Sequence, residues 1–300
     1  MNMKNIKLTL SLLLSLFLLS SCYEDFEEDY KESMVYFSSQ KPLRTVIADR
    51  DMNIRVGVAI GGKREVDMKD WAEFRIVPNL LEGTGFTLLP ENYYTLSDEK
   101  RFYVTKPTIA VADVQIDFTE DFFNDEKAAT LHYALPFKVV SSSHDGVLAG
   151  KETSIVAIRY FSAYHGTYYV KGSVSKLDAS GNEIERENYV KADLSANLTR
   201  KLSTVSRNVV CREGVANLPI DIAQEKVQIT FNVDGTLSVT SAQGGIDITD
   251  GSGSYTYDEA TKGVELQLSY KYTKAGFQYL VNETLIRRQD PLNDLRFEEW

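Results

Sequence analysis

Cysteine and histidine are scarce in this 300-residue chain, which contains two cysteines, Cys22 and Cys211, and three histidines. The histidines, His132, His144 and His165, lie far apart, and no HxH, HExxH or CxxC pattern occurs. Zinc sites use closely spaced pairs of these residues, so the sequence gives no support for a catalytic zinc. We therefore expect neither a metal site nor a cofactor.

Sequence patterns of common catalytic sites are missing as well. Neither the GxSxG nucleophile motif nor the GxxxxGK[ST] phosphate loop occurs. Asp247 and Asp250, around ITDGSGS (248–254), lack the spacing of an EF-hand, so a glycine-rich turn is favoured over a calcium site. The chain has 43 acidic residues, and the sequence singles out no pair suited to glycoside hydrolysis. A hydrolase is thus the least favoured hypothesis, and we expect no enzyme.

Positive charge is also in deficit, because the formal net charge is -10 at pH 7. A polyanionic partner such as nucleic acid would be repelled by this charge. If Cys22 is covalently modified, the remaining thiol, Cys211, has no partner for an intramolecular disulfide. The stability of the fold must then rest on its hydrophobic core. Cys211 lies in VVCRE, where the role of a small apolar residue in a strand is favoured over that of a nucleophile.

The N-terminus carries the one long apolar run, Leu8 to Leu19, preceded by Lys4 and Lys7. About twelve apolar residues are too few to span a bilayer, which needs roughly twenty, but they suit a signal peptide over residues 1–21. The following Leu-Ser-Ser-Cys resembles the lipobox of bacterial lipoproteins. This resemblance implies that Cys22 is lipidated and anchors the chain to a membrane without a spanning helix.

An acidic tether over residues 22–32 follows the cysteine and contains Glu24, Asp25, Glu27, Glu28 and Asp29. Physically, such a segment is a charged spacer. It also resembles the acid-rich export signal of Bacteroidetes surface lipoproteins. That resemblance implies an outer-membrane protein that faces the cell surface, the alternative being a spacer on the periplasmic side.

The dominant hydrophobic period along the rest of the chain is two residues. Ile54, Val56, Val58 and Ile60 alternate with small or polar residues, which is typical of half-buried antiparallel strands. The pattern restarts after Phe161. We therefore predict an all-β protein with two domains: an N-terminal β-sandwich over residues 33–162, and an antiparallel β-barrel or sandwich over residues 163–300.

The second half contains the clearest local signals. Two alternating runs within residues 226–242 are joined by Asp234 and Gly235, a pair that suits a type I′ hairpin turn. Tyr270 and Tyr272 share a face with aliphatic residues and are predicted to be core. The glycine-rich GSGSY (251–255) is interpreted as a turn.

The aromatic residues are the remaining candidates for function. Aromatic rings pack on the flat C–H faces of sugars, while nearby polar groups bind the hydroxyls. Trp71, in phase with polar Glu73 and Arg75, and Tyr169, in phase with polar Lys171, are predicted to point outward and are our glycan-binding candidates. An isolated exposed ring, or burial between domains, is the alternative for both. Trp300, the last residue, is free to be exposed or to dock on the body.

Several segments resemble a known domain pairing. LPENYYTL (89–96) and LPFKVVSSSHDG (135–146) resemble the N-terminal domain of uncharacterised function in Bacteroidetes surface lipoproteins. YHGTYYVKG (164–172), LTRKLSTVSRN (198–208) and YKYTKAGFQYLVNETLIRR (270–288) resemble the domain that often follows it. The resemblance implies an immunoglobulin-like sandwich, then a lipocalin-like barrel, encoded beside SusC/SusD-type glycan uptake systems.

The leading hypothesis is a non-catalytic surface lipoprotein that binds a polysaccharide or glycoprotein glycan and assists an uptake system. Its expected partners are a glycan, SusC/SusD-type outer-membrane proteins, and the membrane through the lipid anchor only. The alternative is a structural or adhesin-like subunit of an outer-membrane complex that contacts protein instead of sugar.

Overall fold

The computed structural model describes residues 31–50, 52–63, 65–220 and 226–300. Cys22 and the five acids of the tether lie outside the described residues. The first sheet contains twelve strands: β1 (Met34–Tyr36), β2 (Pro42–Ile47), β3 (Asn53–Gly61), β4 (Trp71–Ile76), β5 (Thr87–Leu88), β6 (Tyr94–Leu96), β7 (Arg101–Val104), β8 (Val111–Phe118), β9 (Tyr133–Ser142), β10 (Gly146–Val147), β11 (Thr153–Phe161) and β21 (Glu298–Glu299).

The first sheet curls over so that its two halves enclose one core. Its order is β10-β1-β3-β8-β7-β4-β9-β11-β2-β21, with β5 beside β9 and β6 beside β8. Strand β4 connects the two halves, because Ala72 and Glu73 pair with both β7 and β9, and a bulge follows Glu73. Val58 of β3 and Ile158 of β11 consequently belong to the same buried cluster.

Among the described residues, the second sheet has nine strands, and eight of them close into a barrel. The strands are β12 (Gly166–Leu177), β13 (Glu183–Tyr189), β14 (Leu198–Ser206), β15 (Val209–Glu213), β16 (Lys226–Phe231), β17 (Thr236–Ser241), β18 (Ile248–Asp258), β19 (Gly263–Lys274) and β20 (Phe277–Arg287). Each strand from β14 to β20 pairs with the next, and β12 closes the ring by pairing with both β14 and β20. Strand β13 extends the sheet beside the second half of β12.

The predicted all-β fold is confirmed: a curled sheet is followed by a closed antiparallel barrel. Helical structure among the described residues is short, namely α1 (Glu120–Asn124) and 3-10 turns at Pro78–Leu81, Glu91–Tyr93, Glu126–Ala129, Leu194–Ala196 and Pro291–Asp294. Within those same ranges, no helix combines the length and apolar character needed to cross a membrane.

Alternation in sequence explains which side chains fill the barrel. Val264, Leu266, Leu268, Tyr270 and Tyr272 of β19 are all buried, because successive strand residues point to opposite faces. The prediction that both tyrosines are core residues is therefore confirmed.

The hairpin between β16 and β17 forms where it was predicted, but with a different turn. Gly235 has a φ of 84°, whereas Asp234 is not among the residues with positive φ. A type I′ turn needs positive φ at both central residues, so the prediction of that turn is wrong. The Gly235 amide instead donates to the Asn232 carbonyl at 3.1 Å, as in a three-residue loop with a glycine bulge.

The glycine-rich segment at 251–255 is part of strand β18 and not the predicted turn. Strands β17 and β19 both pair with it, and the register against β19 shifts between Thr249 and Ser252. Asp250 has a φ of 52° at this bulge and forms an ion pair with Lys271 at 2.9 Å. The neighbouring strands β17 and β19 supply the hydrogen bonds that keep this segment extended. The sequence of the glycine-rich segment does not by itself indicate these pairings.

Candidate functional site

The two aromatic candidates from the sequence lie on different sheets and do not form one site. Trp71 is half-buried in β4, and the Arg101 guanidinium lies 4.2 Å from its ring centroid. That cation already covers the indole. Tyr169 is half-buried in β12, between Thr199 of β14 and Ile286 of β20 in the register.

A better candidate is a cavity where the first sheet meets the barrel, which we name the junction cleft. Its volume is about 530 Å³, and its lining is Asp49, Arg50, Ala163, Tyr164, Tyr255, Tyr257, Glu259 and Lys262. Cavities of about 300 to 1,000 Å³ at domain junctions, with apolar walls and a few polar groups, are typical small-ligand sites. Three tyrosines, Tyr164, Tyr255 and Tyr257, line this cleft.

The tyrosines are held by stacking and by hydrogen bonds. Tyr164 stacks on Phe231 with ring centroids 3.6 Å apart, and Tyr255 meets both rings edge-on, at 5.5 and 5.0 Å. The Tyr164 hydroxyl donates to that of Tyr255 at 3.4 Å, which donates to the Asn232 carbonyl at 3.3 Å. Burial raises the pKa of Tyr164, so its phenol stays protonated at neutral pH.

The end of the β18–β19 hairpin forms one side of the cleft. Tyr255 and Tyr257 point to the same side of β18, because they are two residues apart in one strand. Glu259 and Lys262 follow in the turn and pair at 2.9 Å. The hydrogen bond to Glu259 raises the pKa of Lys262, which keeps its ammonium group charged.

The opposite side of the cleft comes from the turn after β2. Asp49 has a φ of 63°, a conformation that aspartate tolerates better than most residues. Arg207, in the turn between β14 and β15, donates to both Asp49 and Glu120. Arg50 pairs with Asp290 at 2.7 Å. These ion pairs join the first sheet to the barrel beside the cleft.

The linker between the two sheets is fixed by hydrogen bonds. The Ser162 amide donates to the Thr204 hydroxyl at 2.9 Å, and the Ser162 hydroxyl donates to the Arg207 carbonyl at 2.7 Å. Arg287 donates to the Ala163 carbonyl at 2.6 Å. The walls of the cleft are thus held in place before any ligand arrives, which lowers the entropic cost of binding.

The acidic side chains of the cleft lining each have a basic partner. Asp49 is paired with Arg207 and Glu259 with Lys262, so the two carboxylates of the lining are engaged as anions. Elsewhere, burial raises the pKa of the Cys211 thiol, which disfavours the reactive thiolate. In the part of the chain that the structure describes, no group of three or more potential metal ligands is found.

Sequence reasoning missed all three tyrosines of the cleft. Tyr255 and Tyr257 alternate with Thr256, a strand signal that the turn interpretation of 251–255 concealed. Tyr164 lies in the short linker, where no period sorts exposed from buried residues. Asp49 and Arg50 are more than one hundred residues away in sequence, and only the fold brings them to the tyrosines.

Comparison with known proteins finds a family model that matches part of the chain and a solved structure with a similar fold over most of it. A family model described as "-like, N-terminal domain" matches residues 30–146, which is less than half of the chain. No curated protein matches. A crystal structure of a structural-genomics protein of unknown function from Bacteroides ovatus has 20% identity and a TM-score of 0.71, over 87% of this chain and 96% of that chain.

The fold of this chain is thus shared with that structural-genomics protein of unknown function. A multidomain Bacteroides ovatus protein including DUF1735 also matches, with 15% identity, 88% of this chain and 96% of that chain covered, and a TM-score of 0.41.

Proposed function

We propose that this protein is a non-catalytic, lipid-anchored protein of the outer-membrane surface that binds a glycan in the junction cleft. The observation that carries the proposal is the set of three tyrosines, Tyr164, Tyr255 and Tyr257, in one cavity with hydrogen-bonding side chains. Sugar rings present apolar C–H faces to aromatic rings and hydroxyls to polar groups. The cleft offers both kinds of contact.

The polar groups of the cleft suit hydroxyl ligands. Arg50 and Lys262 are donors, whereas Asp49 and Glu259 are acceptors, and the four side chains balance in formal charge. A neutral sugar can bind between such groups without adding an unpaired charge. The fixed linker favours a preformed site over one assembled by the ligand.

The location belongs to the proposal and is supported by sequence. Cys22 after an apolar run is the proposed lipid anchor, and the acids from Glu24 to Asp29 are the proposed signal for surface display. A glycan-binding lipoprotein at the surface would act as an accessory to SusC/SusD-type uptake proteins, as the resemblance of the domain pair implies.

The absence of catalysis is likewise proposed. Each carboxylate of the cleft has a cationic partner, whereas glycoside hydrolysis uses one carboxyl group that stays protonated to act as an acid. Incubation of the protein with glycans that bind it, followed by analysis of chain lengths, checks this point. Shortened products would contradict it.

The test of the function is a binding titration of the purified protein against a broad panel of polysaccharides and host glycans. With a glycan that binds, Tyr257→Ala should weaken affinity about tenfold, because a stacking platform is lost. Tyr103→Ala is the matched control, since Tyr103 is exposed on β7 of the first sheet. It should bind as the wild type does.

Two outcomes would contradict the proposal: a blank panel with folded protein, and unchanged binding by Tyr257→Ala. A blank panel together with a specific partner after crosslinking on intact cells would instead support the protein-interaction alternative.

A further inference from the structure

A second cavity lies on the outer surface of the barrel, which we name the wall groove. It has a volume of about 520 Å³ and is lined by Lys171 and Gly172 of β12, Ser252–Ser254 of β18, Gln267–Ser269 of β19 and Asn282–Thr284 of β20. The outside of a closed barrel is ordinarily convex. A cavity of this size on it therefore needs a structural reason.

Two glycines supply the reason. A Cβ atom on Gly172 would lie 2.4 Å from the Asn282 carbonyl oxygen, and one on Gly253 would lie 2.3 Å from that of Gln267. Both distances are impossible for a side chain, so these strands approach more closely than other residues allow. Glycine within a strand permits close approach and sharp bends, which a barrel wall needs in order to be locally concave.

The strand register arranges the polar side chains of the groove in two parallel rows. Lys171, Thr284, Gln267 and Ser254 are neighbours across β12, β20, β19 and β18. Asn282, Ser269 and Ser252 form the next row, which the buried Ser173 of β12 continues outside the groove lining. Rows on one face of a sheet are about 7 Å apart. The result is a regular set of hydroxyl and amide groups over four strands.

The charge of the groove is opposite to that of the protein. Lys171 and Glu283 are its charged lining residues, but the Glu283 side chain is buried inside the barrel in an ion pair with Arg212. Lys171 forms no ion pair with any other residue that the structure describes. Among the described residues that line it, the groove thus presents one ammonium group outside any ion pair, on a chain with a net charge of -10.

The borders of the groove add no free negative charge next to Lys171. Lys271 pairs with Asp250 at one end, and Arg186, beside the second row, donates to the Ser173 hydroxyl at 3.0 Å. Glu265 lies on β19 one row beyond Gln267, opposite Ile286 of β20. Tyr169 of β12 pairs with Ile286 from the side opposite to Glu265. This aromatic candidate from the sequence therefore borders the groove.

We propose that the wall groove is a second binding site, which takes an anionic segment of a glycan. Lys171 binds the carboxylate or sulfate group, and the hydroxyls and amides, above all Gln267 and Asn282, bind the sugar hydroxyls. The ligand class rests on the proposed glycan-binding function, whereas the position and the charge preference rest on the groove itself. Two separated sites would let one long chain bind twice and raise its apparent affinity.

The test uses four probes: tetragalacturonate, its fully methyl-esterified form, a hyaluronan tetrasaccharide and a heparin tetrasaccharide. Titration calorimetry of the wild type should show that at least one acidic probe binds and that added salt weakens the binding. If tetragalacturonate binds, its ester should not, because each carboxylate is replaced by an uncharged methyl ester. Binding of ester and acid with equal affinity would overturn the charge preference.

The variants locate the site. Lys171→Gln should weaken binding of the acidic probe about tenfold, the size expected for one charge-assisted hydrogen bond. Asn282→Asp, which keeps the shape and adds a negative charge, should weaken it as much or more. Lys138→Gln is the control, because Lys138 is an exposed lysine of β9 in the first sheet.

The result separates the two proposed sites. Tyr257→Ala alters the junction cleft and should leave affinity for the acidic tetrasaccharide unchanged, whereas Lys171→Gln should leave a neutral glycan in the cleft unaffected. The wall groove is contradicted if no acidic probe binds, or if both groove variants bind as the wild type does. Neither outcome contradicts the junction cleft.

Discussion

Arg212 and Glu283 form an ion pair inside the barrel in which both side chains are completely enclosed. The Tyr270 and Tyr189 hydroxyls donate to the two Glu283 oxygens, each at 3.0 Å. Arg212 also donates to the Ala216 carbonyl at 3.0 Å. The carboxylate is thus satisfied by three donors, which offsets the cost of removing it from water.

Glu283→Gln should destabilise the barrel strongly, because Arg212 would keep a buried charge without a counterion. Loss of one partner of a buried pair typically costs about 3 to 5 kcal/mol of unfolding free energy. Urea unfolding followed by circular dichroism measures the change. Asp250→Asn, which removes the exposed pair with Lys271, is the control and should cost about 1 kcal/mol or less. Equal effects of the two substitutions would contradict this account.

His165 should make the stability of the protein depend on pH. Its ring stacks on Phe161 at 3.9 Å, and its Nδ1 accepts from the Thr204 amide at 3.2 Å. Burial, and then the charges of Lys201 and Arg159, lower the pKa of His165 from 6.5 to about 4. The unfolded chain therefore takes up this proton more readily than the folded one does.

The stabilisation linked to His165 should be complete above about pH 6.5 and be lost progressively as the pH falls toward 4, by up to about 3 kcal/mol. Unfolding free energies measured across this range should show the decline. His165→Gln, which cannot titrate, should reduce the slope, and His132→Gln should not. Part of the slope should persist, because burial also lowers the pKa of His144. An unchanged slope in His165→Gln would assign the whole effect to other groups.

Arg207 should couple the first sheet to the barrel. It donates to Asp49 and Glu120, and these hydrogen bonds raise its pKa. Arg207→Ala should loosen the junction and weaken glycan binding in the cleft severalfold, while overall stability falls by about 1 kcal/mol. Limited proteolysis of the linker between the two sheets measures the loosening, the binding titration measures the affinity, and urea unfolding measures the stability. Arg55→Ala, which breaks an ion pair with Asp113 inside the first sheet, should change neither the linker cleavage nor the affinity.

Trp300 should stabilise the first sheet from the far end of the chain. Strand β21 pairs with β2, and the Trp300 indole donates to the Ile155 carbonyl at 2.8 Å and meets Phe86 edge-on at 4.8 Å. Trp300→Ala should lower the unfolding free energy by about 1 to 2 kcal/mol, because the half-buried ring loses apolar contact area. Phe297→Ala removes an exposed ring and should have little effect. Equal losses of unfolding free energy in Trp300→Ala and Phe297→Ala would show that Trp300 contributes no specific packing.

Cys22→Ala should release the protein from the membrane, because the proposed acceptor of the lipid is removed. Fractionation of cells, with antibody detection of the protein, gives the measurement. Cys211→Ala is the matched control and should remain in the membrane fraction. If the Cys22→Ala variant remained there too, the lipoprotein interpretation would be wrong.

The sequence by itself determined most of the long strands, because burial in an antiparallel sheet leaves a period of two along the chain. Alternation placed Tyr270 and Tyr272 in the core and located the hairpin at Asp234 and Gly235. The lipid-anchor prediction for Cys22 likewise depends on local sequence alone. Such features are encoded within a few neighbouring residues.

The tertiary structure decided the closure of the barrel and both candidate sites. Val170 pairs with Leu198 on one side and Leu285 on the other, and no local pattern specifies partners so far apart in sequence. The junction cleft joins Asp49, Tyr164 and Tyr257 for the same reason. In the wall groove, the close approach of Gly172 to Asn282 and the cavity above these strands exist only once the strands have paired.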